Sequence, residues 1–227
     1  MKVVVNVGGS VLAPDLEPDR VADYAAAIQS LDEAGHTMGA VVGGGPTARE
    51  YIGTARELGA NEIELDQLGI AVTRLNGRLL IAALDDRAAP TPAESYESGR
   101  EAIRRGDIPV LGGIVAAQTT DAVAAAFAEY INADLLVYAT SVNGVYSTDP
   151  ESDTEATRFD QLTAGELVDI IADMEMNAGS SAPVDLLAAK VIERSGIRTI
   201  VLDGTDPQRV VDAVQNDGFD GTEILEA

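Results

Sequence analysis

The chain has 227 residues, enough for one large domain or two small ones around a sizeable core, and 46% of them are hydrophobic. Its 38 acidic and 15 basic residues leave a net charge of −23, which repels nucleic acid backbones and anionic membrane surfaces alike. There is no cysteine, hence no disulfide framework, thiolate metal site or cysteine nucleophile, and no apolar run approaches the roughly 20 residues of a membrane helix.

In chain order, Val3 to Val7 reads as a buried strand. Asp19 to Ala34 has Val21, Tyr24, Ala25, Ile28 and Leu31 on one helical face, with Gly35 as its stop. Met38 to Val42 is a second strand, and a helix starts at Pro46, a residue suited to the first helical turn. Glu62 to Leu84 reads as a long, partly apolar helix. The turn-rich stretch Asp85 to Pro92 has room for a short strand, then come a helix over Ser95 to Arg105 and a strand over Ile108 to Leu111. Asp121 is placed to cap a helix carrying Val123, Phe127 and Ile131. Asp134 to Ala139 is a strand and Ser147 to Asp160 a polar loop. Thr163 and Glu166 have capping-box spacing before Leu167, Ile170 and Ile171. A helix over Val184 to Ser195, a strand over Arg198 to Leu202, a helix from Asp206-Pro207 and a closing strand over Thr222 to Leu225 complete the chain. Repeated strand-helix-strand units predict a mainly parallel sheet covered by helices on both faces, in a single domain over 1–227.

The acidity is spread along the whole chain, and its 15 basic residues are Lys2, Lys190 and 13 arginines. Carboxylates hold water well and their repulsion is screened within about 3 Å at molar salt. The expectation is a salt-adapted protein of the cytoplasm, since the first residues lack a secretory signal pattern.

Ligands of such a sheet bind beyond the carboxyl ends of its strands. Five predicted strands run into glycine turns: Gly8-Gly9-Ser10, Gly43-Gly44-Gly45, Gly112-Gly113, Asn143-Gly144 and Asp203-Gly204. Glycine lets backbone N–H groups approach an anion, and a following helix adds partial positive charge. One such turn is an ordinary strand-to-helix bend. Five on one rim describe an anion-lined groove that holds two phosphate-bearing ligands end to end. No Walker loop, dinucleotide fingerprint or protein-kinase signature occurs. The single histidine, His36, sits in a turn after a helix and is read as a loop residue. Arg49, one turn into its helix, is either a surface ion pair or a guanidinium for a phosphate. Asp66 is either a solvated helix carboxylate or an acceptor for two ribose hydroxyls. Thr119 and Thr120 at a helix start suit a base or a phosphate, and Tyr146 and Asp149 are placed to flank a nucleotide.

Several of these motifs occur together in a known order. They are Val-Gly-Gly-Ser-Val-Leu at 7–12, Val-Val-Gly-Gly-Gly-x-x-Ala-Arg at 41–49 and Thr-Arg-x-Asn at 73–76. Thr-Thr-Asp-Ala-Val-Ala at 119–124 and Val-x-Gly-Val-Tyr-x-x-Asp-Pro at 142–150 follow, then Ala-Gly-Ser-Ser at 178–181, Leu-Ala-Ala-Lys at 187–190 and Gly-Thr-x-Ile at 221–224. End to end, the chain resembles archaeal-type uridylate (UMP) kinases of the amino-acid-kinase superfamily, and its acidity resembles a haloarchaeal member. The resemblance implies a three-layer α/β/α fold, a homohexamer, and ATP-dependent phosphorylation of UMP to UDP with Mg²⁺ in pyrimidine biosynthesis. It implies an N-terminal part mainly for UMP and a C-terminal part mainly for ATP. Gly9, Ser10, Gly45 and Arg49 would lie at the ATP phosphates, with Gly9, Ser10 and Arg49 as the catalytic groups. Thr140, Asn143, Tyr146 and Asp149 would hold the rest of ATP. Gly44 and Asp66 would contact UMP, with Ile114, Val115, Ala116, Ala117, Gln118, Thr119 and Thr120 around its base and phosphate.

The chain departs from that pattern at four places. Ile114 to Gln118 replace the usual Thr-His-Pro-Gly-His, Ser141 and Asn143 stand where Asn and Asp are usual, Asn6 stands for a frequent Asp, and Gly77 for Ala. Two rivals share the fold: a sister kinase for another phosphorylated acceptor, and a non-catalytic nucleotide or anion binder. The missing His after Gly43 to Gly45 counts against an isopentenyl phosphate kinase.

Overall fold

The computed structural model describes residues 1–150, 153–176, 183–216 and 218–226. The Ala-Gly-Ser-Ser motif at 178–181 lies outside them. The seven strands are β1 (Lys2–Val7), β2 (Thr37–Val42), β3 (Val110–Leu111), β4 (Leu135–Thr140), β5 (Gln161–Thr163), β6 (Thr199–Asp203) and β7 (Gly221–Leu225). They form one sheet in the order β3-β2-β1-β4-β6-β7-β5. β3, β2, β1, β4 and β6 are mutually parallel, and β7 runs antiparallel to β6. The carboxyl ends of those five strands therefore share one rim.

The helices are α1 (Gly9–Leu12), α2 (Pro18–Glu33), α3 (Gly45–Glu57), α4 (Glu62–Leu84), α5 (Tyr96–Arg105), α6 (Thr120–Ile131), α7 (Ala164–Met176), α8 (Leu186–Ser195) and α9 (Gln208–Gln215). Strand side chains alternate between faces. Val3, Val5 and Val7 of β1 join a core with Tyr24, Ile28 and Leu31 of α2 and Val210 of α9. Val4 joins the opposite core with Val123 and Phe127 of α6 and Ile192 of α8. Two cores, one on each side of a sheet, make the expected α/β/α layering. Most predicted boundaries hold to within two residues.

One local reading changes and two elements are added to the others. The polar loop over 147–160 leads into a short strand, β5, which pairs with β7. The Gly-Gly-Ser turn opens directly into the single helical turn α1. The cap of α6 is Thr119, whose Oγ accepts from Ala122 N at 3.1 Å, so Asp121 lies inside the first turn and does not cap it. The Thr163–Glu166 capping box forms as the spacing predicts, with Glu166 Oε2 accepting from Thr163 N at 2.8 Å.

Candidate active site

Two cavities open at the carboxyl rim. The first is lined by Gly8, Ser10, Arg49, Thr140, Gly144, Tyr146 and Asp149, among others. The second is lined by Gly44, Gly45, Arg49, Asp66 and the segment from Ala117 to Thr120, among others. Arg49 belongs to both. Its Nη2 donates to Ser10 Oγ at 3.4 Å, and among the described residues it has no carboxylate within ion-pair distance. The surface ion pair allowed by the sequence is not formed. At the meeting point of two cavities, without a described carboxylate partner, its guanidinium is open to an anion.

The glycine turns after β1 and β2 form the floor between the cavities. They lie backbone against backbone, and a Cβ on Gly9 would stand 2.1 Å from Gly45 N and 2.5 Å from the Gly44 carbonyl carbon. Gly9 lines neither cavity; its role is this close approach. One face of α4 fixes the second turn. Asn76 is buried and its Nδ2 donates to Gly43 O at 2.9 Å and Gly44 O at 3.2 Å. One turn earlier, Thr73 Oγ1 accepts from Gly113 N at 2.8 Å. Sequence reasoning passed over both residues as binding-site supports. Their signal was the Thr-Arg-x-Asn spacing, which puts Thr73 and Asn76 on one helical face.

The second cavity has its carboxylate in Asp66, on α4. Asp66 Oδ2 accepts from Ala117 N at 2.7 Å, where Ala117 has a positive φ of 66°. Asp66 thereby holds the 114–118 loop in place while its remaining acceptor capacity faces the cavity. Ala117, Gln118, Thr119 and Thr120 line this cavity; Ile114, Val115 and Ala116 do not, and Val115 is exposed to solvent.

The first cavity has a polar floor that period-two alternation produces. Asn6 lies on the same face of β1 as Val4, toward α6, and its Nδ2 donates to Asp121 Oδ1 at 2.7 Å. Its register partner Tyr138 donates through its hydroxyl to Asp121 O at 2.9 Å. Enclosure of the Asp121 carboxyl, reinforced by the Asp185 carboxylate nearby, pushes its pKa up to about 7. Asn6 Oδ1 is buried without a hydrogen-bond partner.

A carboxyl with a raised folded-state pKa binds its proton more tightly in the folded than in the unfolded chain. That contribution to stability is complete below the unfolded carboxyl range and is lost as pH rises through about 7. Asp121→Asn has no such loss. In melting experiments on the ligand-free protein, the variant's gain over wild type should grow between about pH 5 and about pH 8. A gap that stays constant over this range contradicts the assignment.

Asn143 lines neither cavity, although its neighbours Val142 and Gly144 line the first. The turn Asp203-Gly204 lies on the same rim but lines neither cavity; Gly204 O accepts from the Tyr24 hydroxyl on α2. The two cavities are thus lined by residues of the other turns. His36 stands at the opposite rim, before β2.

The amino acid kinase family model matches residues 1–203. A uridylate kinase from Haloarcula marismortui is 83% identical over 225 residues, covering 99% of both chains. One from Halobacterium salinarum is 69% identical over 99% of this chain and 93% of its own length. The crystal structure of a uridylate kinase from Archaeoglobus fulgidus superposes with a TM-score of 0.88 at 44% identity, covering 99% of this chain and all of that one.

Proposed function

Because the chain belongs to the amino acid kinase family, we propose that it is a UMP kinase, which transfers the γ-phosphoryl group of ATP to UMP to give ADP and UDP. The observation that carries this is the pair of cavities joined at Arg49 and the paired glycine turns. ATP occupies the cavity lined by Ser10, Thr140, Tyr146 and Asp149. UMP occupies the other, its ribose at Asp66, its base and phosphate among Gly44 and Ala117 to Thr120. The two phosphate ends then face each other across Arg49. High identity to uridylate kinases over the full length supports the same assignment.

The acceptor is a phosphate oxygen, already ionised near neutral pH, so no side chain has to remove a proton. This fits a rim without histidine. An oxygen of UMP attacks the γ-phosphorus in line as the bond to the β,γ-bridging oxygen breaks, and the charge moves to ADP. The chain's part is positioning and electrostatic stabilisation. The Gly8 and Gly43 amides are taken by the sheet, so the Ser10, Gly44 and Gly45 amides on the cavity linings and the Arg49 guanidinium face the transferring group.

Among the described residues no three His, Cys, Asp or Glu side chains form a metal cage. Mg²⁺ would keep much of its water and travel on the nucleotide phosphates, whose charge it would neutralise. Among the described residues, Asn6 Oδ1 is a buried side-chain oxygen on this cavity without a hydrogen-bond partner. The remaining parts of the proposal are a homohexamer, a cytoplasmic setting and adaptation to salt, the last resting on the net charge of −23. No helix among the described residues is long and apolar enough to cross a membrane.

A coupled assay of ADP release with ATP, Mg²⁺ and, in turn, UMP, CMP, dUMP and isopentenyl phosphate tests the assignment. UMP is expected to give the highest kcat/KM. Preference for another acceptor makes the protein a sister kinase; no acceptor-dependent ADP makes it a binder.

A further inference from the structure

Asn143 is the one residue of the 142–144 turn whose side chain leaves the ATP cavity, and its surroundings say what it does instead. Its Nδ2 donates to Asp220 Oδ2 at 2.7 Å. Its Oδ1 accepts from Asp203 N at 3.5 Å, at the end of β6. Arg158 completes the cluster: its Nη1 donates to Asp220 Oδ1 at 2.5 Å and to the Asn143 carbonyl at 3.5 Å. The following residue, Val145, is tied to the start of β7 beside Asp220. Val145 N donates to Thr222 Oγ1 at 2.8 Å, and Thr222 Oγ1 in turn donates to Phe159 O at 2.5 Å. Gly144 sits between them with φ of 116°, and a Cβ there would stand 2.5 Å from Thr222 Oγ1. The start of β7 thus serves as an anvil for the turn that presents Val142, Gly144 and Tyr146 to ATP.

We infer that Asn143, Asp220 and Arg158 form a positioning clamp that holds the 140–146 turn in its ATP-binding shape, and that residue 143 is an amide because its partner is a carboxylate. The inference rests on the assignment of this cavity to ATP. A carboxylate at 143 would face Asp220 at hydrogen-bond distance with one arginine between them, and like charges in contact drive the turn away.

The test is a charge swap. Asn143→Asp should raise the KM for ATP about tenfold, the loss of one charge-assisted hydrogen bond, with kcat and the KM for UMP little changed. Asp220→Asn alone keeps a neutral pair and should have a smaller effect. The double variant N143D/D220N restores one amide and one carboxylate with donor and acceptor exchanged, and should recover most of the ATP affinity. Binding of a non-hydrolysable ATP analogue, measured by calorimetry, should follow the same order. A normal KM for ATP in N143D, or a double variant no better than N143D, overturns the clamp. If N143D does not fold, recovery of folding and ATP affinity in the double variant supports the clamp, and a folded double variant with poor ATP affinity overturns it. Wild-type protein without UMP-dependent turnover removes the kinase assignment instead, and analogue binding across the four proteins still decides the clamp.

Discussion

Replacing Arg49 by alanine should lower kcat by about 10²–10³-fold, the range seen when one preorganised donor to developing charge is removed. Arg49 is the side chain common to both cavities, and Ser10 Oγ at 3.4 Å is its only described hydrogen-bond partner. Its charge is therefore not spent on a carboxylate. In the transition state the transferring phosphoryl group lies between the two nucleotides, where charge on its equatorial oxygens is within reach of the guanidinium. The chain has no lysine to take over: Lys2 donates to Ile131 O and Lys190 pairs with Glu193. Arg49→Lys keeps the charge but loses the planar fork, so it should recover only part of the rate. Steady-state kinetics with both substrates varied provide the check. A kcat for R49A within about threefold of wild type would show that the amides alone stabilise the transferring group.

The second large effect should come from adding one methyl group at Gly9. Its Cβ would lie within 2.6 Å of backbone atoms of Gly43, Gly44 and Gly45. No side chain there can rotate away, so the two turns must move apart. They are tied to the sheet, with Gly8 N donating to Ala139 O at 3.0 Å and Gly43 N to Val7 O at 2.9 Å, and Asn76 holds Gly43 and Gly44 from the other side. The added volume therefore displaces the amides that face the phosphates. A displacement of about 1 Å at a reacting centre costs on the order of 100-fold in rate, and overpacking of this kind costs about 1–3 kcal/mol of stability. Gly9→Ala should thus lose most kcat/KM and melt at lower temperature. Thermal melting together with the coupled assay separates the two losses, and full activity in the variant would mean that the turns do not need their close approach.

Much of this protein is legible in its residues. The helix over Glu62–Leu84 ends where periodicity places it, and β1 and β2 follow from short, mostly apolar runs before glycine turns. These are local matters: period, caps and breakers act over a few residues, so a linear reading recovers them. The gathering of glycine turns on one rim was also legible, because parallel strands bring their carboxyl ends to one side. Partners far apart in the chain were not. Asn6 meets Asp121 across 115 residues, Asn76 meets Gly43 across 33, and Asn143 meets Asp220 across 77. Each of these polar side chains has a plausible local role when viewed alone, as a cap, a helix-surface group or a loop residue.

Composition, periodicity and glycine spacing were enough by themselves to determine a layered α/β protein with glycine turns gathered on one rim, because each of those properties is set by neighbours in sequence. Only the tertiary structure decided that Arg49 is shared by two cavities, that Gly9 serves packing, and that Asn143 turns away from the first cavity. Those outcomes depend on strand register and on which helix covers which face, and burial and charge across the sheet settle them.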